Sequence, residues 1–364
     1  MSDLLSQMRR EIEATGPLSV ADFMAQCLCH PKFGYYMTRD PFGSQGDFTT
    51  APEISQCFGE LLGLWAAISW QQMGSPSAFH LVELGPGRGT LMKDALRASK
   101  AVPGFQDAMT LHLVEISPTL RQKQKDSLKD YTVHWHDSLL NLPDGPAIIL
   151  ANEFFDALPI RQFEKSDKGW AERFIDIDPD GEGLRFVLKT DEAAQALMPP
   201  ALKGKDNVGA RFEISSVSQN IAMGLAERLK DQGGCVLAID YGSAHANFGD
   251  TLQALKGHQF SDVLETPGEA DLTAHVDFET LSNSFRAGGA NVWGPIPQGI
   301  FLERLGITAR MQALLNTARP DQRDSLIAAH KRLCAPDEMG QLFKVLCATH
   351  PDHPTPAAFE ESAS

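Results

Sequence analysis

The sequence predicts an α/β chain on a doubly wound, mostly parallel, Rossmann-like sheet, with an added domain that is partly antiparallel β and partly helical. Three observations predict it. The apolar run His80-Leu81-Val82-Glu83-Leu84 enters Gly85-Pro86-Gly87-Arg88-Gly89 and a helix start at Thr90. This is the strand, glycine turn and helix of a nucleotide-binding βαβ unit. Apolar strands then recur at 109–115, 132–135, 147–150 and 234–239, several of them separated by helical periodicity. Between the last two, the pattern switches to short strands at 160–163, 170–177 and 184–188, divided by turns typical of antiparallel hairpins.

At 364 residues the chain has room for two domains, taking about 150 residues for each. Hydrophobic content of 43% and charged content of 22% are those of an ordinary soluble globular protein. No run approaches the roughly 18 apolar residues of a membrane span, so membrane insertion is not expected. Residues 1–7 lack both a secretory pattern and an Arg-rich, acid-free organellar address, which reads as cytoplasmic. A formal charge of −15, from 32 basic and 47 acidic residues, disfavours nucleic acid and suits a basic or neutral substrate. The six cysteines form no C-x-x-C pair. The spacings of His330, Cys334, Cys347, His350 and His353 match no usual zinc pattern, so no metal is expected. Oligomeric state is left open.

Residues 1–75 read as N-terminal helices and a cofactor lid. A helix over 4–14 stops at Gly16-Pro17, and Ser19 caps a second through Cys29. After His30-Pro31-Lys32-Phe33-Gly34-Tyr35-Tyr36 comes a glycine-bearing stretch with Gly43 and Gly46. In it Thr50, Glu53 and Pro52 mark another helix start. The stretch reads either as a lid with Thr49, Thr50 and Glu53 facing a ligand, or as a loop that only caps a helix. Residues 76–157 form the first part of the core and 158–212 an inserted β meander. Residues 213–242 continue the core, with a helix over 213–230 and a strand ending at Asp240-Tyr241-Gly242. A second insertion, the substrate region, covers 243–305. C-terminal helices and a last strand fill 306–349. Residues 350–364, rich in Pro, Glu and Ser, read as a disordered tail.

The glycines decide the ligand. Gly85, Gly87 and Gly89 follow G-x-G-x-G, whereas a dinucleotide loop is G-x-G-x-x-G and seats a pyrophosphate. Glu83 would repel that pyrophosphate and suits a cation. S-adenosyl-L-methionine carries a sulfonium and an ammonium and no phosphate, so its methionine half fits an acid beside a tight glycine turn. Glu115, at the next strand end, is placed to accept both ribose hydroxyls. Asp137 falls near the adenine, and Asn152, Glu153 and Asp156 fall beside the transferable methyl. If the acceptor is a guanidinium, carboxylates must hold it and take its proton. Glu153 is first for that role and Asp156 second, with Asp240, Asp271 and Asp277 as supports. The plainer alternative is a packing turn, with acids serving as helix caps and solvated loop ends.

With 46–53, 83–91, 152–159, 240–242 and 271–278 in this order, the chain resembles the MidA-like family of S-adenosylmethionine-dependent methyltransferases. That family includes a mitochondrial assembly factor of respiratory complex I that acts as a protein arginine methyltransferase. The resemblance implies a class I methyltransferase fold with an added domain, S-adenosyl-L-methionine as cofactor, and a protein substrate, by analogy an arginine of a complex I subunit. It carries cofactor binding onto Glu83, Gly85, Gly87, Gly89 and Glu115, and more loosely onto Thr49, Thr50 and Asp137. The competing expectation is an assembly scaffold that binds cofactor without catalysis.

Overall fold

The computed structural model describes residues 3–38, 49–181, 183–191, 193–205 and 207–360. Its central sheet contains β1 (Phe79–Leu84), β2 (Met109–Val114), β3 (Val133–His136), β4 (Ala147–Asn152), β5 (Gly234–Ser243), β6 (Asn291–Pro297) and β7 (Phe343–Thr349). They lie in the order β6-β7-β5-β4-β1-β2-β3, and Val276–Asp277 adds a short parallel ladder beside β5. The strands from β5 to β3 pair in parallel. Strand β7 is antiparallel to both neighbours. Strand order reverses between β1 and β4, which opens a crevice at their carboxyl ends.

The alternation of β4 explains why it lies at the centre. Ile148 and Leu150 face one core, with the helices Gln56–Gln72 and Thr90–Ser99. Ile149 and Ala151 face the other, with Ser216–Gln232 and Phe278–Ala287. A strand covered on both faces must be apolar at every position, as this one is until Asn152.

A separate core builds the added region. Leu4, Met8, Phe23 and Met24 of the two N-terminal helices pack with Ile175, Leu252 and Leu272. The five-stranded antiparallel sheet here runs Leu18–Ser19, Gly169–Ile177, Arg161–Ser166, Arg211–Ile214, with Leu184–Thr190 also on Gly169–Ile177. A three-stranded sheet, Gln259–Ser261, Gln253–Lys256 and Asp271–Thr273, completes it.

Two expectations are corrected. The helix expected from residue 213 begins at Ser216, because Phe212 and Ile214 turn inward on a strand paired with Arg161–Glu164. Ser215 Oγ then accepts from Ser218 N and caps that helix. The disordered tail is ordered over 350–360: Trp65 Nε1 donates to the Ala357 carbonyl at 3.2 Å, and Phe359 packs on Phe301. Three apolar residues, Ala357, Ala358 and Phe359, find a groove there that composition alone does not reveal. Residues 361–364 lie outside the described residues. Among the described residues no helix is long and apolar enough to cross a membrane.

Candidate active site

The carboxyl ends of β1, β2 and β4 open into a cavity of about 1260 Å³. Thr49, Thr50, Glu53, Glu83, Gly85, Gly87, Glu115, Asp137, Asn152, Glu153 and Asp156 all line it. Gly89 does not; it stands at φ +78° as the N-cap of the helix Thr90–Ser99. Gly43, Gly46, Asp47 and Phe48 of the expected lid lie outside the described residues.

The glycine turn is shaped for close approach. Gly85 and Gly87 adopt φ +59° and +52°, a region that L side chains rarely enter. A Cβ on Gly85 would also meet Phe154 Cδ2 at 3.2 Å. Glu83 is buried beneath the turn, and its Oε2 has no hydrogen-bond partner. Burial, then the nearby Glu115, pushes its carboxyl up to about 8. A buried acid in that state is stabilised by a cation.

Glu115 follows β2. Its Oε1 accepts from Ser117 N at 2.8 Å and its Oε2 from Gln124 Nε2 at 3.1 Å. Burial raises its pKa, opposed by these donors. Each oxygen keeps a lone pair for a further donor. Gln124 also donates to the Gly87 carbonyl at 2.8 Å and accepts from Trp135 Nε1 at 2.9 Å. It thereby ties the glycine turn, the acid and β3 together. Sequence reasoning missed Gln124, since a glutamine inside a helix carries no local signal. Asp137, past β3, is largely exposed and paired with Arg121 at 2.5 Å.

Beyond β4 the acids crowd. Glu153 has φ +51°, strained for a residue with a Cβ. Its N–H donates to the Ile239 carbonyl at 2.8 Å, and its Oε1 accepts from Ala51 N at 3.0 Å and Asn152 Nδ2 at 3.1 Å. Burial pushes its carboxyl up to about 7. Ala51 opens a four-residue helix whose N-cap Thr50 makes no side-chain cap bond, so part of the expected lid holds an acid of the site. Thr90 Oγ1 also donates to Glu53 Oε1 at 2.5 Å.

Asp156 is buried with an unpartnered Oδ1, and burial followed by Asp240, Asp271 and Glu153 raises it well above the carboxylate range. Asp240 lies behind the wall, where Oδ2 accepts from Phe155 N and Asp156 N and Oδ1 from Tyr241 N. It thereby holds the 153–156 turn in place. Asp271 lines the cavity and accepts from Tyr36 Oη at 2.7 Å. Asp277 is elsewhere in role: it caps the helix Phe278–Ala287 through Glu279 N and Thr280 N. Tyr36, Tyr241, His275 and Arg332 also line the cavity. None was singled out as a site residue, although Tyr36 stands in the aromatic run that precedes the expected lid.

The glycine turn, Glu83 and Glu115 fit a cationic amino acid joined to a ribose, and beyond β4 the buried Asp156 adds an unpartnered Oδ1 to the same cavity. Residues 61–296 match the family model of S-adenosyl-L-methionine-dependent methyltransferases. The chain belongs to that family.

This methyltransferase is 41% identical to zebrafish (Danio rerio) mitochondrial protein arginine methyltransferase NDUFAF7, over 94% of this chain and 85% of that protein. It is 37% identical to the Homo sapiens protein of the same name, over 94% and 82%. Its fold is similar to that of a methyl transferase from Burkholderia thailandensis bound to S-adenosyl-homocysteine. The TM-score is 0.86 with 27% identity, covering 99% of this chain and 95% of that one. S-adenosyl-L-methionine is thus the cofactor class, and the fold is the α/β methyltransferase fold with a mostly parallel sheet. The cytoplasmic expectation is corrected: these relatives are named mitochondrial.

Proposed function

We propose that this methyltransferase modifies the guanidinium of an arginine in a protein, with a subunit of respiratory complex I as the substrate suggested by its family resemblance. The observation that carries this reading is the cluster of acids in the cavity wall. Glu153, Asp156 and Asp271 line the cavity close enough to raise one another's charge cost, and a guanidinium is the planar, five-donor cation that paired carboxylates recognise best. The relatives named as protein arginine methyltransferases support the same acceptor.

When bound, S-adenosyl-L-methionine supplies an electrophilic methyl on sulfur. The chain's own residues do the rest. Glu83, Gly85 and Gly87 seat the methionine half, Glu115 accepts from the ribose and Asp137 flanks the adenine. Asn152 and Glu53 hold the walls of the methyl site. Glu153 accepts hydrogen bonds from the guanidinium, turns one nitrogen towards the methyl, and takes the proton as that nitrogen gains a bond. Asp156, whose carboxyl is held well above the ordinary carboxylate range by burial and by Asp240, Asp271 and Glu153, gives the substrate's positive charge a second acid to face.

The test is mass spectrometry of complex I subunits incubated with the enzyme and the methyl donor, beside calorimetric titration of the donor alone. Methylarginine is expected. Glu153→Gln should keep donor affinity and lower the transfer rate by roughly 100-fold or more. With Glu153 at about 7, the wild-type kcat/KM should rise with pH through that value. Donor binding without any methylarginine would instead favour a cofactor-bound scaffold.

A further inference from the structure

Outside the cavity, the helices Gln298–Arg304 and Pro320–Cys334 bring together three side chains of metal-binding chemistry. Glu303 comes from the first. His330 and Cys334 come from the second, where a spacing of one turn sets them on the same face. A carboxylate oxygen, an imidazole nitrogen and the thiol sulfur all lie within 4.8 Å of one another. Glu303 Oε1 and His330 Nε2 are 3.1 Å apart. Tetrahedral zinc, with bonds of about 2.0–2.3 Å, sets its ligands roughly 3.3–3.7 Å from each other. The carboxylate–imidazole edge is close to that already, and a small side-chain shift brings in the sulfur.

The backbone under these ligands is fixed. A Cβ on Gly299 or Gly340 would lie 2.4 or 2.0 Å from the Cys334 carbonyl oxygen, so only glycines let the helices approach this closely. Gln298 Nε2 donates to the Leu333 carbonyl at 2.9 Å and pins the same turn. Thr308 Oγ1 lies 2.7 Å from Glu303 Oε2, 2.9 Å from Oε1 and 3.1 Å from His330 Nε2, so one hydroxyl spans the carboxylate and the imidazole and holds them side by side. An oriented carboxylate of this kind is what a metal ligand needs behind it.

We propose that Glu303, His330 and Cys334 form a zinc site, with water in the fourth position. The carboxylate and thiolate balance the ion's two charges, the imidazole stays neutral, and the thiol proton passes to solvent. Sequence spacing pointed away from a metal because it weighed His330 and Cys334 against Cys347, His350 and His353. Cys347 is buried in β7, and His353 turns its Nδ1 to the Pro354 carbonyl. The third donor comes from a helix 27 residues earlier. Arg332, between the two ligands on one helix, lines the main cavity, so a metal here braces a wall of the active site.

The test uses the full chain, stripped with a chelator and titrated with cobalt(II), then with zinc against a chromophoric competitor. One equivalent of cobalt should give a thiolate-to-metal charge-transfer band that zinc displaces and that Cys334→Ser abolishes. Glu303→Gln, on an exposed side chain, should leave the circular dichroism unchanged and weaken zinc binding by roughly tenfold or more. Absence of the band in the wild-type protein would overturn the proposal. So would a band that survives Cys334→Ser but disappears in Cys29→Ser, or zinc affinity indifferent to Glu303→Gln.

Discussion

Glu83 shows how one residue links stability to ligand binding. Its carboxyl titrates near 8 in the folded chain against an ordinary value of 4.5. Between those values the folded form keeps a proton that the unfolded chain has lost. Its contribution is therefore fully present below about pH 4.5 and declines as pH rises towards about 8. Glu83→Gln stays neutral throughout, so the free enzyme's melting temperature should fall less steeply from pH 5 to 8 in the variant. The variant should also gain less from added S-adenosyl-L-methionine at pH 8, where wild-type Glu83 meets the cation as a carboxylate. Identical melting slopes for the two proteins would exclude this account. Glu83 was legible from the sequence because an acid that ends an apolar strand ahead of three glycines has few structural uses. Tyr36 and Arg332 were not, because each reaches the cavity from an element far away in the chain.

At the scale of elements, the glycine turn works because the helix Pro118–Ser127 holds it from behind. Gln124 is the contact: buried, it bonds the Gly87 carbonyl, Glu115 and Trp135 at once. Gln124→Leu fills similar volume but leaves those groups without their partner. Each unsatisfied buried group costs about 1–3 kcal/mol, and part of that loss falls on the shape of the turn. Calorimetry should show methyl-donor affinity reduced by roughly tenfold, with a lower melting temperature; unchanged affinity would mean that the turn holds itself. The strands were read correctly where burial on both faces makes a continuous apolar run, as in β4. The start of the helix at Ser216 was misplaced because Arg211–Ile214 is a short strand whose alternation is visible only beside its partner at Arg161–Glu164. The pairing of Glu153 with Ala51 N is likewise a matter of tertiary folding, across a sequence separation of 102 positions.

Across the whole molecule, elements distant in sequence meet to close the structure around the site. The N-terminal helices share one core with the hairpins and with the 250–274 region, and this body delivers Tyr36 and Asp271 to the acids that follow β4. Another part of the core is covered by the residues 350–360. Residues 350–360 run back along the helix Gln56–Gln72: Gln72 Nε2 donates to the Thr355 carbonyl and Trp65 Nε1 to that of Ala357. Arg304 Nη1 donates to the Ala358 carbonyl, and Phe359, only 8% exposed, packs on Phe301. Phe301 also belongs to the core that lies under β1 and β4, so loosening the segment loosens the sheet. A buried Phe→Ala change costs roughly 3–5 kcal/mol, and a site at the core margin that can partly collapse should fall at the low end. Phe359→Ala should therefore lower the denaturation midpoint by the equivalent of about 3 kcal/mol, while donor affinity measured well below the transition stays near wild type. Ending the chain after Thr349 should cost more, since it also removes the three carbonyl acceptors. If the truncated protein unfolds at the same denaturant concentration as the full chain, the segment only lies on the surface and contributes nothing to the fold.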